Sequence, residues 1–362
     1  MKRILILSKS LESGGAERQL FYLASYLKKS NAVDFLVYKR SGVFLDKLEA
    51  LGIGVYSFTK RSLIKDSFSV ETIVRKGKYD VVVSYLPELN LVNEIAALFG
   101  RFRFKKWRVI VGARSSNPAF VKSFKLRFYY FAHIFSDAII SNSESNKREI
   151  LLVNKLLKEK KIHVIYNIFQ PESLSADYLP FRNDRINMVV AANYRMVKNL
   201  DGLLCALSLL DNDQRSKIHI DWYGIDVDGS LDKGNQFIEN NSLSEVISLH
   251  QSSDDIYLLY QQADIVGLFS HYEGLPNSIC EALYLGKMVI CTPVSDMPLL
   301  LKDTGNIICG SDLPDDIFLG LSNLINLNKE TVVQVGKSNC QKFAQLFDKD
   351  KIERELESVV LG

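Results

Sequence analysis

Short apolar runs alternate with segments of helical period along the whole chain, and that alternation most limits what the chain can fold into. Strands are expected at Ile4–Ser8, Val33–Tyr38, Val81–Ser84, Arg108–Val111 and Ala138–Ser141, then at Ile186–Ala191, Lys217–Tyr223, Ile247–Leu249, Ile265–Phe269 and Met288–Thr292. Between them lie helix-period stretches such as Ala16–Lys29, Asn90–Phe99, Ser145–Leu157, Asn199–Leu210 and Asn277–Leu285. Strands this short and this apolar are buried on both faces, which calls for parallel sheets covered by helices. A chain of 362 residues exceeds one ordinary core. The fold class is therefore α/β, with two doubly wound, Rossmann-like domains facing across a cleft and ligands at the carboxyl ends of the strands. The first domain is assigned to residues 1–170 and the second to 171–345. The joint falls near Gln170–Arg185, where Pro171 and Pro180 interrupt the pattern. A last helix, roughly Ser338–Val360, is expected to pack across both, with residues 346–362 turning back toward the first domain.

Composition narrows the class further. Apolar residues make up 47% and charged residues 24%, and no uncharged apolar run approaches the roughly 18 residues a spanning helix needs. Met1–Ser8 opens like a leader peptide, but its apolar core is too short and runs into a glycine turn, so a buried strand and a cytoplasmic protein are expected. Cys205, Cys280, Cys291, Cys309 and Cys340 form an odd set without close pairs and read as reduced thiols. The net charge of +3 hides an asymmetry: residues 1–170 carry 30 Lys/Arg against 14 Asp/Glu, the remainder 15 against 28. In the basic half, cations interleave with aromatics over Arg101–Arg108 and Phe120–Phe135. That mixture suits an anionic membrane surface, with a solvated basic face over core aromatics as the plainer reading. No nucleic-acid module accompanies it, so no nucleic-acid partner is expected.

Three local patterns carry chemistry. In Glu273-Gly274-Leu275-Pro276-Asn277-Ser278-Ile279-Cys280-Glu281, a turn follows an apolar strand and opens a helix capped by Asn277 or Ser278. The helix N-terminus favours an anion such as a diphosphate, while Glu273 and Glu281 can only accept hydrogen bonds and so suit hydroxyls. A capped helix with two surface glutamates is the bland alternative. Arg195 and Lys198 lie between a strand and a helix in Asn193–Asn199, where two cations can neutralise a leaving diphosphate; a helix-start loop with surface cations competes. Gly14 and Gly15 stand between the first strand and its helix, where backbone could approach a ligand closely, though the G-x-G-x-x-G spacing is absent.

Taken together, "SHYEGLPNSICEALYLGKMVICTPV", "ANYRMVKNLDGLLCAL", "SGGAERQL", "SDAIISNSES" and "IHVIYNIFQPESL" resemble family 4 of the retaining glycosyltransferases, which have the GT-B fold, over nearly the whole chain. The resemblance implies an N-terminal acceptor domain and a C-terminal nucleotide-sugar domain, with retention at the anomeric carbon and no metal or other cofactor. It gives Arg195, Lys198 and Glu273 the catalytic roles. The two cations would bind the donor diphosphate, and Glu273 would meet donor-sugar hydroxyls near the developing oxocarbenium ion. Gly274, Leu275, Pro276 and Asn277 would contact the donor, Glu281 the ribose, and Gly14 and Gly15 the diphosphate from the other domain.

The sequence departs from the family where many members carry an acceptor-side histidine. "VIVGARSSNPAF" has none, leaving Arg114, Ser116 or Asn117 for that space, with Glu17 a further acceptor-side candidate. His133 reads as a structural residue, His271 as a minor sugar contact, and Asp226-Val227-Asp228 as an exposed loop instead of a metal site. The leading expectation is transfer of a sugar from a UDP- or GDP-linked donor to a lipid-linked glycan in cell-surface polysaccharide synthesis, at the inner face of the membrane. A nucleotide-sugar epimerase or hydrolase, and a silent sugar-binding scaffold, are the alternatives.

Overall fold

The computed structural model describes residues 1–12, 14–103, 107–114, 123–169, 185–253 and 255–362, with only the backbone of 124–126. They divide into unit 1, Met1–Ile168 with Asp348–Gly362, and unit 2, Phe169–Phe347. The segment expected to join the domains, 170–184, lies outside the described residues.

Unit 1 alternates β1 (Arg3–Ser8), α1 (Gly15–Leu27), β2 (Ala32–Val37), α2 (Leu45–Ala50), β3 (Gly54–Ser57), α3 (Leu63–Gly77), β4 (Val81–Ser84), α4 (Pro87–Phe102), β5 (Arg108–Ala113), α5 (Phe124–Ala132), β6 (Ala138–Ser141), α6 (Glu144–Val153) and β7 (Ile162–Val164). Its strands are parallel in the order β3-β2-β1-β4-β5-β6-β7. β1 shows why. Ile4 and Ile6 pack toward Leu20, Leu23, Ala24 and Leu27, the i, i+3, i+4, i+7 stripe of α1. Leu5 and Leu7 face the opposite layer with Val70, Val74, Val92 and Ala96. All four are essentially unexposed, and each such side chain contributes about 2 kcal/mol of apolar burial.

Unit 2 repeats the scheme with β8 (Ile186–Ala191), α7 (Leu200–Leu209), α8 (Asn212–Ser216), β9 (Ile218–Gly224), α9 (Ser230–Asn240), β10 (Ile247–Gln251), α10 (Ile256–Gln262), β11 (Ile265–Leu268), α11 (Asn277–Tyr284), β12 (Met288–Cys291), α12 (Met297–Leu300), β13 (Ile307–Ile308), α13 (Pro314–Ile325) and α14 (Lys329–Leu346). Its parallel order is β10-β9-β8-β11-β12-β13. Strand order reverses between β1 and β4 in unit 1 and between β8 and β11 in unit 2, and at such switch points a crevice opens at the carboxyl ends.

The expected single last helix is instead two. α14 stops at Leu346, and α15 (Lys349–Leu361) begins afresh because the Asp348 carboxylate accepts the Lys351 N–H at 2.6 Å and caps it. Phe347 between them is wholly buried and meets Phe169 edge-on at 5.0 Å. α15 belongs to unit 1: Ile352, Leu356 and Val360 enter the core beside Ile4, and the Arg108 guanidinium donates to the Val359 carbonyl at 2.9 Å. No helix among the described residues is long and apolar enough to cross a membrane. The five cysteines are free thiols, with Cys280, Cys291 and Cys309 buried.

Candidate functional site

In unit 2 the site forms where the segments after β8 and β11 meet at the switch point. Tyr194 anchors the first. It is fully buried, and its hydroxyl lies 2.8 Å from the Trp222 carbonyl and 2.7 Å from that of His250, so the loop is tied to β9 and β10. The chain then makes one 3-10 turn, Met196–Lys198, and enters α7 through Asn199, held in the left-handed region at φ 60°. Asn199 caps the helix by accepting the Gly202 N–H at 3.1 Å, and a side chain at 202 would collide with that cap. This geometry fixes Lys198. Its ammonium lies 2.5 Å from Glu273 Oε1, and the Ser270 hydroxyl donates to the same oxygen at 2.7 Å. Arg195, extended and exposed, has no ion-pair partner among the described residues.

The turn after β11 leads into α11 through Pro276, which is the N-cap; Asn277 is the first helical residue. The expected cap at Asn277 or Ser278 is therefore displaced by one position or more, and α11 opens without a side-chain cap hydrogen bond. Its first N–H groups are unpaired within the helix and face a positive dipole end. Leu275 is buried, so it fastens the turn, while the Ser295 hydroxyl donates to the Gly274 carbonyl. Glu281, within the helix, is also buried at 4% exposure. His271 pairs with Asp312 at 2.6 Å, and its N–H donates to the Val197 carbonyl, linking the two loops again. Chemically, the crevice presents an uncapped helix N-terminus, two cations and a part-buried carboxylate. The Lys198–Glu273 pair is still reachable from solvent, so an anionic ligand can compete with Glu273 for the lysine.

Asp226 and Asp228 serve the loop itself. Asp228 Oδ2 accepts the Met196 N–H at 2.8 Å and Asp226 Oδ1 accepts the Gly229 N–H at 3.0 Å.

In unit 1, Gly14 is the N-cap of α1 and Gly15 its first residue. Glu17 folds back over this turn, so that a Cβ on Gly14 would sit 2.1 Å from its carboxylate oxygen. Burial raises the Glu17 pKa, opposed by a hydrogen bond from its own backbone N–H. Arg114 leaves the carboxyl end of β5 and stacks on the Tyr85 ring at 4.1 Å while donating to Asn167 Oδ1 at 2.7 Å. Gly112 permits this, since a side chain there would meet the Tyr85 ring. Beside Arg114, a cavity of about 10 Å³ is lined by Asn90, Gly112, Tyr130 and His133 among others, room for one water-sized group. His133 is buried and pairs through Nδ1 with the fully buried Glu94 at 2.7 Å, a structural contact between α4 and the turn after α5. Burial pushes the Glu94 pKa up, with His133 opposing. Asn117 and Ser116 lie outside the described residues.

Two family models match the chain: Glycosyltransferase Family 4 over residues 13–173 and Glycosyl transferases group 1 over residues 176–339. The chain belongs to glycosyltransferase family 4. It is 25% identical over 358 residues, covering 95% of each chain, to a Campylobacter jejuni alpha-1,4-N-acetyl-D-galactosaminyltransferase named for a GalNAc-containing glycan acceptor on diNAcBac-PP-undecaprenol. Among solved structures, Anabaena HepE in complex with UDP and glucose superposes with a TM-score of 0.84 at 18% identity, covering all of both chains. A glycosyltransferase from Rickettsia africae gives 0.79 at 17%, covering 99% of this chain and 97% of that one. The GT-B fold follows from these matches.

For this glycosyltransferase, the structure joins Lys198 to Glu273 directly, keeps Arg195 at the same strand end, and places Glu281 inside the helix those residues flank. Sequence reasoning missed Ser270, which orients Glu273, and Asp312, which holds His271. It also missed Gln19, which is buried and exchanges two hydrogen bonds with Ile168, at 2.8 and 2.9 Å. Asp312 and Ile168 are distant in the chain from the residues they hold, whereas Ser270 lies only three positions before Glu273, inside the same turn.

Proposed function

We propose that this glycosyltransferase moves a sugar from a UDP- or GDP-linked donor to a hydroxyl of a lipid-linked glycan, with retention and without a metal or other cofactor, in cell-surface polysaccharide synthesis at the inner face of the membrane. The observation that carries the reading is the Lys198–Glu273 pair beside the uncapped N-terminus of α11. Lys198 and Arg195 neutralise the diphosphate as the anomeric C–O bond breaks, and Glu273, released from the pair, accepts hydrogen bonds from sugar hydroxyls. Gly274 to Asn277 present backbone to the donor, and Glu281 holds the ribose from within α11. The acceptor oxygen bonds to the anomeric carbon and its proton passes to the departing phosphate oxygen. Gly14, Gly15, Glu17 and Arg114 belong to unit 1's share of the reaction, with Gly14 and Gly15 at the diphosphate and Glu17 and Arg114 on the acceptor side. The Campylobacter relative's acceptor supports a polyprenyl-diphosphate-linked acceptor here, and HepE's UDP supports a uridine donor.

The test incubates purified protein with UDP- and GDP-sugars and both a lipid-linked and a water-soluble glycan acceptor, with and without EDTA. An α-anomeric product from an α-linked donor, formed in chelator, is expected. An inverted linkage, or activity lost in EDTA and restored by magnesium, removes the corresponding part of the reading.

A further inference from the structure

One end of unit 1 carries an exposed apolar surface that the core does not use. Phe128 and Phe131 on α5 and Ile134 just after it stand three residues apart, 56%, 37% and 38% exposed. Phe102 at the end of α4 is 82% exposed, and Leu152 at the end of α6 and Leu156 in the turn beyond it are 60% and 77% exposed. Hydrogen bonds draw these elements into one neighbourhood. Arg101, beside Phe102, donates to the Phe135 carbonyl at 3.2 Å. Lys161 donates to the carbonyls of Ile134 and Ser136 at 3.1 and 2.6 Å, and Asn154 donates to that of Tyr130 at 2.9 Å. All three helices end here, at the amino-terminal side of β5, β6 and β7, since each runs opposite to the strands it joins.

Cations surround the apolar residues. Arg101 and Arg103 flank Phe102, and Lys155, Lys158 and Lys160, all exposed, surround Leu156. The acidic residues facing them are few. Glu71, buried, holds Arg103 at 3.1 Å, Asp137 sits 3.9 Å from Arg101, and Glu159 is already paired with Lys147 at 2.8 Å, so the exposed Lys155, Lys158 and Lys160 carry most of the charge offered to a membrane. Trp107 and Tyr130, which the sequence places among the membrane-touching aromatics, are instead core residues, while Leu152, Lys155 and Leu156 join the surface from outside the expected segments.

We infer that this face is the surface by which unit 1 docks on an anionic lipid membrane: Phe102, Phe128, Phe131, Ile134, Leu152 and Leu156 enter the interfacial layer while the flanking lysines and arginines meet lipid phosphates. Aromatic and leucine side chains ringed by cations match that layer in both polarity and charge. A second copy of this chain would bring like cations against like. The inference names the membrane face for the transfer proposed above and rests on that reading for its purpose.

The experiment co-sediments the full chain with phosphatidylcholine vesicles, with and without phosphatidylglycerol, and in parallel measures transfer to the water-soluble acceptor. Wild type is expected to bind the anionic vesicles and to lose binding as salt rises. Phe102→Ser with Leu156→Ser, at exposed positions, and separately Lys155→Glu with Lys158→Glu and Lys160→Glu, should each weaken that binding by at least about tenfold, with soluble transfer unchanged. Circular dichroism confirms the fold of both variants. No binding by wild type, or binding unchanged in both variants, overturns the surface. A wild-type dimer in sedimentation velocity that Phe102→Ser with Leu156→Ser dissociates also overturns it, in favour of a second copy. Loss of soluble transfer in wild type itself overturns the functional reading and leaves the vesicle result standing.

Discussion

The helix openings of α1 and α11 are built from similar parts and set differently. Each follows the carboxyl end of a parallel strand through a glycine-containing turn, and each has a glutamate close by. In unit 1, Glu17 folds onto its own helix N-terminus, so the place where an anion would sit already holds a carboxylate. In unit 2, Glu273 precedes the helix and is drawn aside by Lys198 and Ser270, leaving the N-terminus of α11 uncapped. A polar helix end becomes a ligand site only when its nearest carboxylate has somewhere else to go. Unit 2 supplies that alternative with a lysine that the ligand also wants, so donor arrival exchanges one partner for another instead of breaking a contact outright.

The largest expected effect removes this exchange. Lys198→Ala should lower kcat by about 10²–10³-fold, the usual cost of losing one preorganised charge at a reacting centre. Single-turnover transfer measures it, and near wild-type turnover would end the assignment. Next comes Glu281→Gln. Losing a carboxylate acceptor for a ribose hydroxyl should raise the donor KM about tenfold or more. Because Glu281 is buried, a lower Tm should accompany the kinetic loss, which differential scanning calorimetry reads.

Unit 1 offers smaller, opposite effects. Glu17→Gln removes the competing charge at α1. This variant should tighten diphosphate binding a few-fold, about 2–5, at neutral pH, as titration calorimetry with UDP would show. Equal or weaker binding would mean that α1 takes no part in holding the anion. The smallest effect is on pH dependence. Burial lifts the Glu17 pKa above its ordinary 4.5, so the native state keeps a proton that the unfolded chain has released. Stability therefore falls as pH rises from about 4.5 to the native value and is flat beyond. The difference in Tm between wild type and Glu17→Gln should follow that course, and a constant difference would place the carboxylate in water.

The parts of this molecule legible in the sequence are those whose cause is local. β4, β6 and β8 are interior strands made mostly of apolar residues, and their bounds agree with Val81–Ser84, Ala138–Ser141 and Ile186–Ala191 as read. β3, β7 and β13 are unforeseen. Each lies at a sheet edge, is two to four residues long and carries part-exposed side chains, so alternation has no length in which to show. α3 is also unforeseen, because Asp66, Ser67 and Glu71 lie on its buried side and blur the apolar stripe. At the site, Lys198 and Glu273 stand out because strand-end cations and carboxylates flank glycines and helix starts. That they touch each other, 75 positions apart, is a property of the β8–β11 crossover. The same holds for Arg114 and Asn167, which unit 1 brings together from the ends of β5 and β7.

The excursion of the chain through unit 2 has a temporal consequence. Unit 2 is one unbroken stretch, Phe169–Phe347, whereas unit 1 is completed by α15, whose Ile352, Leu356 and Val360 join the core over β4 and β6. On the ribosome, which synthesises the N-terminus first, the strands of unit 1 emerge long before their last covering helix. Unit 1 must therefore wait, with part of its sheet face at β4 and β6 open to solvent and to chaperones, until the whole of unit 2 has been made. The half that folds to completion last is the half whose residues were translated first.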